Sequence, residues 1–338
     1  MTAQAATISA DAAKSAPNYE PAAFDTATRD ALLEQHPMLL RDYTIPTPSV
    51  REAVNIARER VWMRRPGVVF FARPRMGKTR CAFSTCTALT EEFSALHLTH
   101  LTLEGSPRPS HKHLYRMLLG AEAHALRAHD SSALLERLTA HITLRVRDRG
   151  GAQYVLVLDE MQLLDETDYA QLVVLHNRLE HFRIRMTTIG FAQPEILQRR
   201  SALAATRNQQ IIARFLSELV AFRGCTSAEA LVSILQSFDS GSEFPEGSGV
   251  SYTRFFVPRA FAAGFRLALD GRRLWQALTL SASSAAADGA ELRMERVCFL
   301  IETLLLHLRQ KDDATLVISD DDIERVLVFS AADDAVEQ

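Results

Sequence analysis

Between residues 67 and 238 the chain alternates between two hydrophobic periods. Short apolar runs rich in β-branched and aromatic residues stand at Val68–Ala72, Leu96–Leu103, Tyr154–Leu158, Ile184–Ile189 and Leu216–Phe222. Bounded by loop residues, such runs predict strands, most of them buried on both faces. Helical patterns fill the gaps: about Gly77–Phe93, two helices in Ser110–Arg147 broken near Asp130, Thr167–Phe182, a short helix from Pro194 to Arg199, and one capped by Thr226 or Ser227 that reaches Phe238. Strands alternating with helices predict an α/β fold, a doubly wound, mostly parallel sheet in three αβα layers.

The flanks follow other rules. Residues 1–20 are small, polar and aperiodic, which predicts a flexible tail. Residues 21–66 form a helical extension: a helix over Pro21–Gln35, an extended Tyr43–Pro48, and a helix capped by Ser49, with Glu52 closing a capping box. The core spans residues 67–238. Residues 239–252 (DSGSEFPEGSGVS begins there) are Gly/Ser-rich and read as a linker or insertion. From 253 to 330 only helical patterns follow, at Pro258–Leu269, Arg272–Ser281, Glu291–Leu308 and Asp320–Phe329, which predicts a C-terminal all-helical domain. Residues 331–338 are an acidic tail.

Composition narrows the function classes. Of 338 residues 47% are apolar and 23% charged, which excludes a wholly disordered or fibrous chain. Net charge is 38 − 41 = −3, so the surface is not basic throughout, although a local basic patch is allowed. Four cysteines without a CxxC pair predict reduced thiols. No apolar run reaches about 18 residues and no leader-like segment opens the chain. The expectation is a soluble, cytoplasmic protein with no membrane partner.

Lys14, Lys78, Lys112 and Lys311 are the only lysines, so one inside a motif carries weight. Lys78 stands in Ala72-Arg-Pro-Arg-Met-Gly-Lys-Thr79, between a predicted strand and a predicted helix, where a P-loop sits. Backbone N–H groups from Arg75 to Arg80, at the helix start, would surround phosphate, with Pro74, Arg75, Met76 and Gly77 forming the turn. Lys78 would supply a point charge to the β- and γ-phosphates, and Thr79 a hydroxyl ligand for Mg²⁺. Ala72 replaces the first glycine of the motif and fits if its φ is negative. Eighty residues on, Val155-Leu-Val-Leu158 delivers Asp159 and Glu160 to the end of a buried strand. Asp159 would hold Mg²⁺ through water and Glu160 would orient or activate the attacking water.

P-loop, Asp-Glu pair and helical C-terminal domain together resemble an AAA+ ATPase, a P-loop NTPase with a helical lid. Ile189–Leu197 (IGFAQPEIL) and Asn208–Val220 (NQQIIARFLSELV) resemble segments of the AAA+ subfamily that holds TnsC/TniB-type transposition regulators and ExeA-type secretion ATPases. The resemblance covers about residues 45–330. It implies Gln193 at the sensor-1 position, with Thr188 as the alternative, and Arg214 at the arginine-finger position. The subfamily's other basic residue in that segment matches Gln210 here. Asp270-Gly-Arg-Arg-Leu274 resembles a sensor-2 motif, in which Arg272 or Arg273 would reach the phosphates.

Arg108, His111, Lys112, His113 and Arg116 cluster after the second strand with Tyr115 among them; Arg108, Lys112 and Arg116 are the candidate contacts to a DNA backbone. Arg145, Arg147 and Arg149 form a second basic run that reads as surface charge. The function these features imply is an ATP- and Mg²⁺-dependent transposition regulator. It would hydrolyse ATP, assemble as a homo-oligomeric ring or filament on duplex DNA without strong sequence preference, and recruit a transposase, with a target-selection protein as a further partner. The alternative is an AAA+ sensor or secretion-complex ATPase that works without DNA.

Overall fold

The computed structural model describes residues 26–105, 110–122, 130–282 and 291–335. The chain divides into two compact units: residues 46–230 with 282–299, and residues 1–45 with 231–281 and 300–338.

The first unit is built on five strands: β1 (Gly67–Phe71), β2 (His97–Thr102), β3 (Gln153–Asp159), β4 (Arg185–Ala192) and β5 (Leu219–Ala221). They pair in the order β2-β3-β4-β1-β5, and every pairing is parallel. All strands therefore start at one edge of the sheet and finish at the other. Successive residues alternate between its faces, as the pleat requires. Val69, Tyr154, Leu156 and Leu158 join the core under α4 (His113–Ala121), α5 (Ser131–Asp148), α6 (Glu166–His181), α7 (Glu195–Ala205) and α8 (Gln209–Phe215). Val68, Phe70, Val155 and Val157 join the core under α2 (Pro48–Trp62) and α3 (Lys78–Glu92). The sheet is thus buried on both faces, as the apolar runs predict.

Local differences have local causes. The cap of α2 is Thr47, whose hydroxyl accepts from Val50 N at 3.2 Å, and not Ser49. Pro48 fits the first helical position, where no N–H is needed, and moves the start forward. The capping box that does form is Asp165 with Asp168, opening α6. The short helix near residue 194 runs on to Ala205, and a further helix, α8, precedes β5.

The second unit is helical: α1 (Thr26–Leu33), α9 (Ala228–Ser240, from Leu231 on), α10 (Tyr252–Phe256), α11 (Pro258–Ala262), α12 (Gly271–Ala282), the later turns of α13 (Met294–Leu308), and α14 (Asp320–Ala335). Residues 239–252, read above as a linker or insertion, pack as part of this unit. Val250 is buried, the Ser242 hydroxyl accepts from Tyr252 N, and the Asp239 carboxylate accepts from Leu267 N and Ala268 N. The serines there serve as local hydrogen-bond partners, not as solvated spacers. His36, fully buried, sits among the rings of Phe244, Tyr252, Phe255 and Phe256, with centroids 4.7–4.8 Å away. Burial pushes its imidazole down to about 3, so the ring is neutral, and its Nδ1 accepts from Met38 N. This plug places residues 36–45 in the helical unit, so the N-terminal extension is shared between the two units at Ile45–Pro46. No helix among the described residues is long and apolar enough to cross a membrane.

Candidate nucleotide-binding site

All five strands are parallel and finish at one edge, and the loops leaving β1 and β3 there carry the candidate chemistry. Strand order reverses beside β1, and ligands of open α/β sheets settle outside the carboxyl ends of strands at such a point. Ala72 is buried and keeps a negative φ, so the missing glycine costs the loop nothing there. Gly77, with φ +92°, caps α3 in the left-handed region that a side chain resists. Arg75 shares that region at φ 66°. Lys78 opens α3 and is buried; its ammonium donates to the carbonyls of Ala72 and Arg73, each at 2.9 Å. Burial pushes the Lys78 pKa down, opposed by the carboxylates of Glu160, Asp159 and Glu195. Thr79 is exposed on the first turn of α3, and Met76 is buried beneath the loop.

Asp159, the last residue of β3, is 1% exposed. Its Oδ1 accepts from Glu160 N at 3.0 Å, while Oδ2 is buried with no hydrogen-bond partner. Glu160 follows at φ 57°, an uncommon backbone for a non-glycine residue. Its Oε2 accepts from the side-chain amide of Gln162 and from Gln193 Nε2 at 3.1 Å, and Gln162 Oε1 accepts from Gln193 N at 2.9 Å. Two carboxamides therefore hold one carboxylate oxygen in place. Gln193 stands just beyond β4, at the same edge as Glu160. Thr188 lies inside β4, paired with Gly67 at the opposite end of β1, and is buried. Of the two sensor-1 candidates, only Gln193 touches the site.

Several contributors escaped the sequence reading. Gln162 had no motif to mark it. Glu195 was read only as the start of a helix. Residues 291–299, read as the opening of a lid helix, belong to the sheet unit: Leu292 bridges Cys225, the Glu291 carboxylate accepts from Gly224 N, and Glu295 pairs with Arg75 at 3.3 Å. A Cβ on Gly224 would stand 2.2 Å from Leu292 O, so glycine permits this approach to the P-loop.

The other candidates lie elsewhere. Arg214 lies in the last turn of α8 with its carbonyl 3.1 Å from where a Cβ on Gly67 would stand, at the start of β1, and its Nη1 is buried without a hydrogen-bond partner. Arg273 of the helical unit binds Asp270, Asp320 and the Ile318 carbonyl, and Arg272 beside it is exposed. Arg80 follows Thr79 on α3, and Pro74 is exposed in the P-loop. Lys112 precedes α4 and Arg116 is exposed on it; Arg108 lies outside the described residues, as does the tail at 1–20. Tyr115 is 3% exposed and donates to the Gln171 carbonyl, so it is a core residue and not a stacking surface for bases.

A family model for the AAA domain matches residues 63–199, from the end of α2 through the P-loop and the Asp-Glu pair into α7. No curated protein matches the chain. Among solved structures, the Aeropyrum pernix ORC2 protein in its ADP form is similar at a TM-score of 0.54 and 13% identity, over 85% of this chain and 69% of that one. The same protein with ADPNP and ADP gives 0.52 and 12%, with the same coverage. The Aeropyrum pernix ORC1 protein in complex with DNA gives 0.49 and 12%, over 86% and 68%. The fold is that of the AAA+ P-loop NTPases, a parallel five-stranded sheet with helices on both faces and a helical C-terminal part.

Proposed function

We propose that this chain is an ATP-hydrolysing AAA+ switch that assembles on duplex DNA and regulates a transposase. The observation that carries the enzymatic part is the meeting of a buried Lys78 with the Asp159–Glu160 pair at one sheet edge. Lys78 exchanges its two carbonyl partners for phosphate oxygens when ATP enters, and the α3 N-terminus adds its N–H groups. Glu160, fixed by Gln162 and Gln193, orients a water and accepts its proton at the carboxylate. The orphaned, buried Oδ2 of Asp159 and the hydroxyl of Thr79 suit Mg²⁺, which when bound would offset phosphate charge.

Assembly is supported by the place of Arg214. It lies at the start of β1, and Lys78 lies past the other end of five residues, about 17 Å away at the rise of a strand. It is too far to serve its own phosphate site, so an arginine finger here acts on another copy. Such contacts are head-to-tail and close into rings or run on as filaments. The transposition reading rests on the IGFAQPEIL and NQQIIARFLSELV segments and on exposed basic residues. The test is negative-stain microscopy of the Glu160→Gln protein with duplex DNA and ATP beside wild type and an ADP control. Rings or filaments that persist in Glu160→Gln and disperse in wild type are expected. Turnover at the wild-type rate in Glu160→Gln would remove Glu160 from its role. Assembly in no nucleotide state, with ATP still bound, would favour the protein-partnered sensor.

A further inference from the structure

The parallel sheet has a second edge, and the site described above does not use it. β3, β4 and β1 are neighbours, so the loops that enter them emerge side by side at the amino-terminal edge. Adjacent strands lie about 4.8 Å apart. Each of these loops is arginine-bearing. Arg64 and Arg65 lead into β1, Arg147 and Arg149 into β3, and Arg178 and Arg183 into β4; all six are exposed. None of them has an ion pair among the described residues, whereas the neighbouring arginines do: Arg58 with Glu92, Arg60 with Glu218, Arg185 with Glu180. Those pairings occupy three of the edge's acids and leave Glu59, Glu91 and Asp148 against the six free guanidinium groups. In a chain of net charge −3, this edge is locally positive. The helices involved lie on both faces of the sheet, α2 on one and α5 and α6 on the other, so the patch crosses all three layers.

We infer that this edge is a binding surface for the sugar–phosphate backbone of duplex DNA. A row of unpaired guanidinium groups matches phosphodiester oxygens in geometry as well as in charge. Four exposed apolar side chains, Trp62, Met63, Leu144 and Phe182, stand among the arginines of these segments. The Trp62 ring packs on Phe93 at 5.1 Å and its Nε1 donates to Glu92 at 3.1 Å. Nothing in the patch is arranged to read bases, so binding is independent of sequence. The inference deepens the DNA-bound reading above and rests on it, but moves the contact: Lys112 and Arg116 follow the carboxyl end of β2, at the other edge.

The backbone supplies a clean set of variants. Arg64 and Arg183 have φ of 51° and 61°, which glycine adopts freely, so Arg64→Gly with Arg183→Gly removes two charges without straining the fold. Adding Arg147→Gln and Arg149→Gln removes two more. The probe is a fluorescent 40-base-pair duplex of mixed sequence, titrated at several salt concentrations with a slowly hydrolysed ATP analogue. Each lost phosphate contact lowers the slope of log K against log salt by about 0.9. The four-fold variant is expected to bind at least about tenfold more weakly, with a slope shallower by up to about 3.6, and to hydrolyse ATP without DNA at the wild-type rate. The two-glycine variant should fall between. Unchanged affinity and slope in the four-fold variant, with loss in Lys112→Ala/Arg116→Ala, would overturn the edge assignment and leave the DNA reading standing. Wild type that binds no duplex in any nucleotide would overturn both. Arginine-dependent binding to phosphatidylserine vesicles in place of DNA would assign the edge to an anionic membrane surface instead.

Discussion

Asp159 in the sheet unit and Asp322 in the helical unit are both buried carboxylates, 1% and 3% exposed, and they are satisfied very differently. Asp322 has no acceptor to spare. One oxygen takes His307 Nε2 at 2.8 Å and the Lys311 ammonium; the other takes the N–H and hydroxyl of Ser319, while Ser319 Oγ in turn accepts from Asp322 N. This is a reciprocal cap at the start of α14, reinforced by the Lys311 ammonium and the His307 ring. Asp159 fills one oxygen with the next residue's N–H and leaves the other buried without a donor. An unsatisfied buried acceptor costs about 1–3 kcal/mol. The helical unit satisfies its carboxylate fully; the sheet edge leaves one carboxylate oxygen open.

The largest effect that bears on this contrast belongs to Lys78. Its ammonium is the positive group already inside the site, parked on two backbone carbonyls. Lys78→Ala is expected to weaken ATP binding at least about 100-fold, the loss of one charge-assisted contact in a desolvated site, with the melting temperature little changed. Calorimetric titration checks the first part and a thermal melt the second. Retained affinity would mean that phosphate is held elsewhere and that the open oxygen of Asp159 has another purpose.

The two aspartates can then be exchanged as tests. Asp159→Asn should leave thermal stability about where it is and cut ATP affinity in the presence of Mg²⁺ about tenfold or more. Asp322→Asn should do the reverse, costing about 2 kcal/mol through lost charged hydrogen bonds and leaving ATP affinity alone. The second effect carries a pH signature. Burial alone would raise the Asp322 carboxyl, but the bonds from Lys311, Ser319 and His307 outweigh it and hold it well below the usual range. A carboxyl lowered on folding stabilises fully above its unfolded value, near 3.8, and loses that contribution as pH falls further. The gap in melting temperature between wild type and Asp322→Asn should therefore be widest above about pH 4 and close in acid. A gap independent of pH would show that the ionised carboxylate is not what stabilises α14.

The sheet edge was more legible in the sequence than the helical unit, for the same physical reason. Phosphate binding needs contiguous backbone N–H groups before a helix, and the Asp-Glu pair must end a buried strand, so both survive as short strings at Ala72–Thr79 and Val155–Glu160. Groups supplied by topology leave no string. Glu295 reaches Arg75 from more than two hundred residues away, and Gly224 makes room for Leu292. The Gly/Ser-rich segment at 239–252 leaves linker and insertion open in the sequence because serine serves equally as a solvated spacer and as a local hydrogen-bond partner; the burial of Val250 and the rings around His36 show it packed within the helical unit. The run Arg145, Arg147 and Arg149 reads as surface charge and all three are exposed; that Arg147 and Arg149 lead into β3, next to the strand that Arg183 enters, follows from strand order and leaves no string.

The smallest expected effect sharpens the comparison most, because it concerns fine positioning. Gln162 contributes no charge. Its amide donates to Glu160 Oε2 and its carbonyl accepts from Gln193 N, so it joins the Asp-Glu loop to the end of β4. In Gln162→Ala the carboxylate keeps one of its two carboxamide donors, Gln193 Nε2. The lost bond is worth about 1 kcal/mol, which corresponds to a fall in kcat of about five-fold, with KM for ATP unchanged since Gln162 orients Glu160 and holds no phosphate. Gln162→Glu separates orientation from bulk. A second carboxylate beside Glu160 disfavours its ionised form, so the acidic limb of the pH–rate profile should move to higher pH in that variant and stay in place in Gln162→Ala. Equal kcat in wild type and Gln162→Ala would mean that Gln193 alone suffices, and that the loop after β3 is held by packing, with Met161 seated against Gly190. A moved acidic limb in Gln162→Glu would tie catalysis to the ionised Glu160, the same dependence on an ionised carboxylate that is expected of Asp322 in stability.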